Sequence, residues 1–134
     1  MEVDIRKASF DEVGVIAASL GLPVYYPNIS VPDSPADEHL RVQIVSTNPE
    51  STNICDGSAR YQWILQIDVF SRDGVGEIKP AQHADNIKSA LPFGTVLTSG
   101  SHEFRVNRTG NVKPPVYVDS WLFIPIQFTL ETFN

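Results

Sequence analysis

The chain predicts an α+β fold: a mainly antiparallel sheet with two helices packed on one face. Three observations lead there. Polar–apolar alternation recurs at Leu40–Ile44, Tyr61–Val69 and Leu122–Leu130, the period of strands with one buried side. Glu2–Leu20 and Pro80–Leu91 instead carry apolar residues at helical spacing. The resulting order is helix, strands, helix, strands. With 134 residues, the chain is read as one domain, 1–134, able to bury roughly two-thirds of its unfolded surface.

In the first segment Val3, Phe10, Val13, Ala17 and Leu20 form the expected apolar face, and Gly21 and Pro23 end it. "PVYYPN" reads as a short extended piece and "ISVPDSPADE" as a loop without periodicity. "HLRVQIVST" is a half-buried strand with Leu40, Val42 and Ile44 inward. "NPESTNICDGSA" is expected to be a long turn-rich connection. "RYQWILQIDVF" follows, with Tyr61, Trp63, Leu65, Ile67 and Val69 on one face. Pro80 suits the first turn of the second helix, where its missing N–H needs no partner; Ala81, Ala84, Ile87 and Leu91 would face the core. "GTVLTSG" and "SHEFRVNR" pair around Gly100, and "TGNVKPPVYVDS" is expected to be a loop. "WLFIPIQFTLE" closes the chain with Leu122, Ile124, Ile126, Phe128 and Leu130 on one face. Pro125 must there turn its missing donor away from a partner, or lie at a bulge.

A net charge of −6 disfavours a sequence-specific nucleic-acid surface, which needs a dense Lys/Arg field. The charge is uneven: Asp33–Asp56 holds five acids against Arg41, and Ser101–Lys113 holds three bases against Glu103. The lone Cys55 has no disulfide partner within the chain. "MEVDIRKASF" lacks the apolar core of a secretion signal. No apolar run approaches the roughly 20 residues that span a bilayer, so a membrane role is not expected. The reading is a soluble protein made inside the cell.

Gly74-Val75-Gly76, between strand and helix, raises the question of a phosphate loop. A dinucleotide loop needs a third glycine, where Lys79 stands here, and no Gly-Lys-Ser/Thr follows. The glycines are read as a bend that requires unusual backbone angles. His39, His83 and His102 are scattered and read as surface or strand-end residues, not metal ligands. No elbow motif or cysteine signature marks an active site. No catalytic residue, cofactor or metal is therefore assigned. A small enzyme or ligand-binding domain using Cys55, His83 or His102 is the contrasting reading, and it requires those side chains to converge. The long loops on so short a chain point instead to partner contact.

Several segments together resemble the tail-terminator (tail-completion) proteins of long-tailed phages. They are "LPVYYPN" ending in Asn28, "HLRVQIV", "ILQIDVFSRDGVGEIKPAQHADNIKSALP" with its Gly-x-Gly bend, and "DSWLFIPIQFTLE". Trp63 departs from the glycine expected before "ILQIDV". The resemblance implies a non-enzymatic virion protein, made in the host cytoplasm, that forms a homo-oligomeric ring, typically of six subunits. Such a ring caps the tail tube at its head-proximal end and meets the head–tail connector, so its partners are itself, the tube protein and the connector. Another neck or head-completion component is the alternative. Asp56, Arg60, Arg105, Arg108 and Lys113 are expected on inter-subunit or lumen-facing surfaces, since a ring joins two different patches of each subunit.

Overall fold

The structure, a computed structural model, describes residues 1–47, 50–53 and 58–133, with the backbone alone at 50–53, 58–59 and 133. Two helices, α1 (Glu2–Leu20) and α2 (Ile78–Ala90), accompany nine strands: β1 (Val24–Tyr25), β2 (Glu38–Ser46), β3 (Glu50–Asn53), β4 (Ser58–Arg72), β5 (Val96–Ser99), β6 (His102–Val106), β7 (Asn111–Val112), β8 (Val116–Val118) and β9 (Trp121–Phe133). All belong to one sheet, ordered β1-β2-β4-β9-β6-β5, with β3 on β4 and with β7 and β8 on β9. Every pairing is antiparallel except that of β1 with β2. The α+β expectation holds.

Register explains the layering. Leu40, Val42 and Ile44 oppose Val69, Ile67 and Leu65, which oppose Ile124, Ile126 and Phe128 in turn. Directly opposed residues share a face, so all three strands present their apolar sets to one side. There they pack with Ile5, Val13, Ile16 and Ala17 of α1 and with Ala84 and Ile87 of α2 in one cluster. Both helices therefore cover the same face, and among the described residues no helix covers the other, though Tyr25 packs on His39 there.

Helix α1 starts with Glu2 and Asp4 in its first turn, where carboxylates favour the positive end of the helix dipole. It ends at Gly21, φ 69°, whose N–H donates to the Ala18 carbonyl while that of Leu22 donates to Ala17. That is a Schellman cap, which needs a residue tolerant of left-handed angles. The buried face differs from expectation. Val3 is exposed, while Ile5, Ala8 and Ile16 join Val13 and Ala17 inside. Helix α2 begins at Ile78, so Pro80 still lies in its first turn, but Ala81 points to solvent.

Two presumed loops contain strands. Strand β3 pairs with β4 through Glu50–Arg60 and Ser51–Ala59, and β7 and β8 line β9. Cys55 and Asp56 lie outside the described residues. Pro125 behaves as expected. Its carbonyl accepts the Lys113 N–H, and since N–H and C=O of a strand residue point to the same side, its missing donor faces the break between β7 and β8.

The sheet curls around the N-terminus of α1. Glu2 accepts from Ser46 Oγ of β2 (3.1 Å) and Trp63 Nε1 of β4 (3.2 Å). Asp4 meets His102 Nδ1 of β6 at 2.6 Å and Ser99 Oγ of β5 at 3.4 Å. Trp63 is thus buried and anchored, edge-on to Phe104 at 5.4 Å.

Gly110 is packed against the fully buried Phe128; a Cβ there would lie 2.6 Å from the ring. Gly110→Ala is expected to lower stability by about 1–3 kcal/mol, read as a lower urea midpoint with an unchanged slope.

Candidate functional site

The helix-free face of β2, β4 and β9, half-buried along β4, is the candidate site. Alternation puts His39, Arg41 and Gln43 there from β2, and Gln62, Ile64, Gln66, Asp68 and Phe70 from β4; β9 adds Trp121, Phe123, Gln127, Thr129 and Glu131. One end is aromatic, the middle polar and the other end charged.

At the aromatic end His39, Phe70 and Phe123 are opposed across three strands and stack ring on ring at 4.9 Å for each step. Tyr25 and Trp121 pack on the imidazole at 4.7 and 5.0 Å. Arg41 lies 4.4 Å over Phe70, and Arg72 lies 4.0 Å over Trp121, placing cations on the negative ring faces. His39 lies at the start of β2, a strand-end position as the sequence suggested, and it is fully buried. Its Nδ1 is 2.8 Å from the Ala36 carbonyl, which can only accept, so Nδ1 carries the proton. Nε2 then accepts from Arg41 Nε at 3.3 Å. Burial holds the imidazole pKa down, and the Arg41 and Arg72 charges add to this. A neutral ring fastens the segment before β2 to the sheet, since Ala36 N–H also donates to Tyr25 Oη (3.1 Å).

In the middle, Gln127 Nε2 donates to Gln66 Oε1 (2.9 Å) and Gln66 Nε2 donates to Asp68 Oδ1 (2.9 Å). Burial raises the Asp68 pKa, opposed by the Gln66 hydrogen bond and the Arg41 charge. At the charged end Glu131 accepts from Asn107 Nδ2 (2.9 Å) and sits 3.7 Å from Arg60 Nη1. Arg105 is opposite Glu131 in register. The structure therefore brings Arg60 to the Glu131 carboxylate, while Arg105 is its exposed neighbour across the ladder. Arg108 lies on the exposed turn after β6, and Lys113 between β7 and β8. Among the described residues Arg105, Arg108 and Lys113 form no ion pair.

The remaining histidines do not meet. His83 of α2 is 3.7 Å from Glu38, whereas His102 is bound to Asp4. No group of three or more metal-ligating side chains exists among the described residues. No described helix is long and apolar enough to cross a membrane. Gly74 and Gly76 have φ 91° and 92° with open space around them, so they serve the bend and not a close approach. Asn28, at the end of the extended piece, also takes a left-handed φ of 59°, which Asn tolerates better than most residues.

A sequence model described as phage tail terminator protein matches residues 4–129. The chain belongs to that family. It is a structural protein of phage tails, consistent with a role without catalysis. Two solved structures share the fold of this terminator. One aligns with a TM-score of 0.76 at 22% identity, covering 95% of this chain and 92% of the other. The second is a chain from the virion of a native gene transfer agent particle, with a TM-score of 0.66 at 17% identity, covering 99% and 97%. No curated protein sequence matches the terminator.

Sequence reading missed the aromatic ladder and the Glu131 centre. Both depend on which strands are neighbours, and alternation within one strand does not reveal that.

Asp68 titrates in the fold above the 3.8 of an ordinary Asp. The stability linked to its proton is therefore complete below pH 3.8 and lost as pH rises through the folded value. Asp68→Asn, which keeps an acceptor for Gln66, is expected to raise Tm at neutral pH and to have little effect below about pH 3.8. Thermal unfolding across pH checks it.

Proposed function

We propose that the protein ends the phage tail: copies form a ring, six in number, on the head-proximal end of the tube, stop its polymerisation and meet the head–tail connector. Family membership over residues 4–129 carries this reading. The fold likeness to a chain of a gene transfer agent virion supports a place in the particle. So does the character of the helix-free face, which is ordered by stacked rings and paired amides. The partners are further copies of this chain, the tube protein and the connector, with the tail neck as the site of action and the host cytoplasm as the site of assembly. No sequence-specific nucleic-acid contact is part of the reading.

Asp56, Arg60, Arg105, Arg108 and Lys113 belong in this proposal to inter-subunit or lumen-facing surfaces. Exposed cations that form no ion pair among the described residues, as at Arg105 and Arg108, suit that placement because neighbouring acids can orient assembly. Complementary charge then sets orientation and association rate, while apolar contact supplies most of the affinity.

Deleting the gene from its phage is expected to give overlong tails in electron micrographs. Tails of normal length that fail to attach to heads would identify a connector and overturn the terminator role. The double charge reversal Arg105→Glu with Arg108→Glu is expected to weaken ring formation without unfolding the chain. Sedimentation identical to that of the unaltered protein, together with normal tail completion, would remove those two residues from the interface.

A further inference from the structure

Phe93 has no task within the subunit. It sits at the tip of the turn after α2 and is 68% exposed, with Pro92 exposed beside it and Val96 45% exposed nearby. At the other end of α2 lies a cleft of about 530 Å³ that includes Leu22, Pro23, Ala36, Ser71 and Val75 in its lining. Its rim carries two ion pairs, Lys79–Glu38 at 3.5 Å and Arg72–Asp37 at 3.1 Å. Ser71 Oγ is buried there without a hydrogen-bond partner among the described residues. The cleft is roomy enough for a phenyl ring, which Leu22, Pro23, Ala36 and Val75 of its lining could contact inside the rim of ion pairs.

We infer that Phe93 of one copy seats in this cleft of the next copy, between the N-terminal end of α2, the end of β4 and the segment before β2. This rests on the ring reading above and specifies its contact. Three observations favour a second copy as the occupant. Phe93 and the cleft lie at opposite ends of a 13-residue helix, about 20 Å apart at 1.5 Å per residue, so the ring cannot fill the cleft of its own subunit. A protruding side chain and a recess elsewhere on the same chain make a head-to-tail contact, the type that generates rings. One flanking acid, Asp33, also complements the surroundings of Phe93, whereas Asp37 and Glu38 are paired with Arg72 and Lys79. Gly94 is hydrogen-bonded to Val106, which places Phe93 beside the strand end carrying Arg105 and Arg108. The cleft is bordered by the segment carrying Asp33, Asp37 and Glu38, of which Asp33 forms no ion pair among the described residues.

The test uses Phe93→Ser, which removes the knob, and Val75→Glu, which places a carboxylate at the mouth of the cleft. Both positions are exposed, so thermal unfolding should match the unaltered chain. Light scattering and sedimentation across concentration are expected to show each variant assembling at no less than about 30-fold higher concentration, the effect of losing one aromatic anchor. Mixed together, the two variants retain one intact contact and should form a one-to-one pair and nothing larger. Assembly of Phe93→Ser at the concentration of the unaltered protein would overturn the inference and leave the ring standing. So would a mixture that yields no pair. An unaltered chain that stays monomeric, both alone and with purified tail tubes, would remove the ring and this contact together.

Discussion

The antiparallel pairing of β4 with β9, running without interruption from Arg60–Phe133 to Arg72–Trp121, is the constraint on which the rest of the molecule depends. Side chains alternate along both strands, so one register decides at once which residues meet the helices and which meet solvent. A slip of β4 by one residue would turn Leu65 and Ile67 outward and bury Gln66 and Asp68 against Ile126 and Phe128. The continuous ladder also supplies the flanks. Strand β2 docks on one side, and β6, β7 and β8 share the other, with the Pro125 position left facing the gap between β7 and β8.

Burial on one side alone leaves the sheet curved and half open. The first turn of α1 answers that curvature by hydrogen-bonding both ends of the sheet, through Glu2 to Ser46 and Trp63 and through Asp4 to Ser99 and His102. The open face is not left as a row of loose polar side chains. His39, Phe70 and Phe123 stack across it, and Gln127, Gln66 and Asp68 pass one hydrogen bond to the next. Stacking and paired amides thus hold the side chains of that face in fixed positions.

A subunit of a closed ring needs two unlike patches, and the proposed contact draws them from opposite ends of α2. The helix then acts as a spacer that holds knob and cleft apart within each copy. The same arrangement keeps the basic turn after β6 away from the acidic segment before β2. In that contact Asp33, which forms no ion pair among the described residues, is left for the basic turn of the neighbouring copy.

The sequence determined the large elements because each carries its own period. Strands β2, β4 and β9 were legible with their inward residues, and Gly21, Pro92 and the Gly74–Gly76 bend marked where segments stop. Short strands were not legible: β3, β7 and β8 have two to four residues, too few for alternation to emerge, and they form only because a longer neighbour offers an edge. The phase of α1 was misjudged at Val3, and that of α2 at Ala81, because their terminal turns have apolar residues on more than one side and only packing selects between them. The site was least legible of all. That His39 would be buried in an aromatic stack, that Arg60 and Asn107 would meet at Glu131, and that Phe93 would protrude opposite a cleft are matters of which distant segments become neighbours. Local periodicity constrains a residue relative to its own strand or helix; only the assembled sheet constrains it relative to the others.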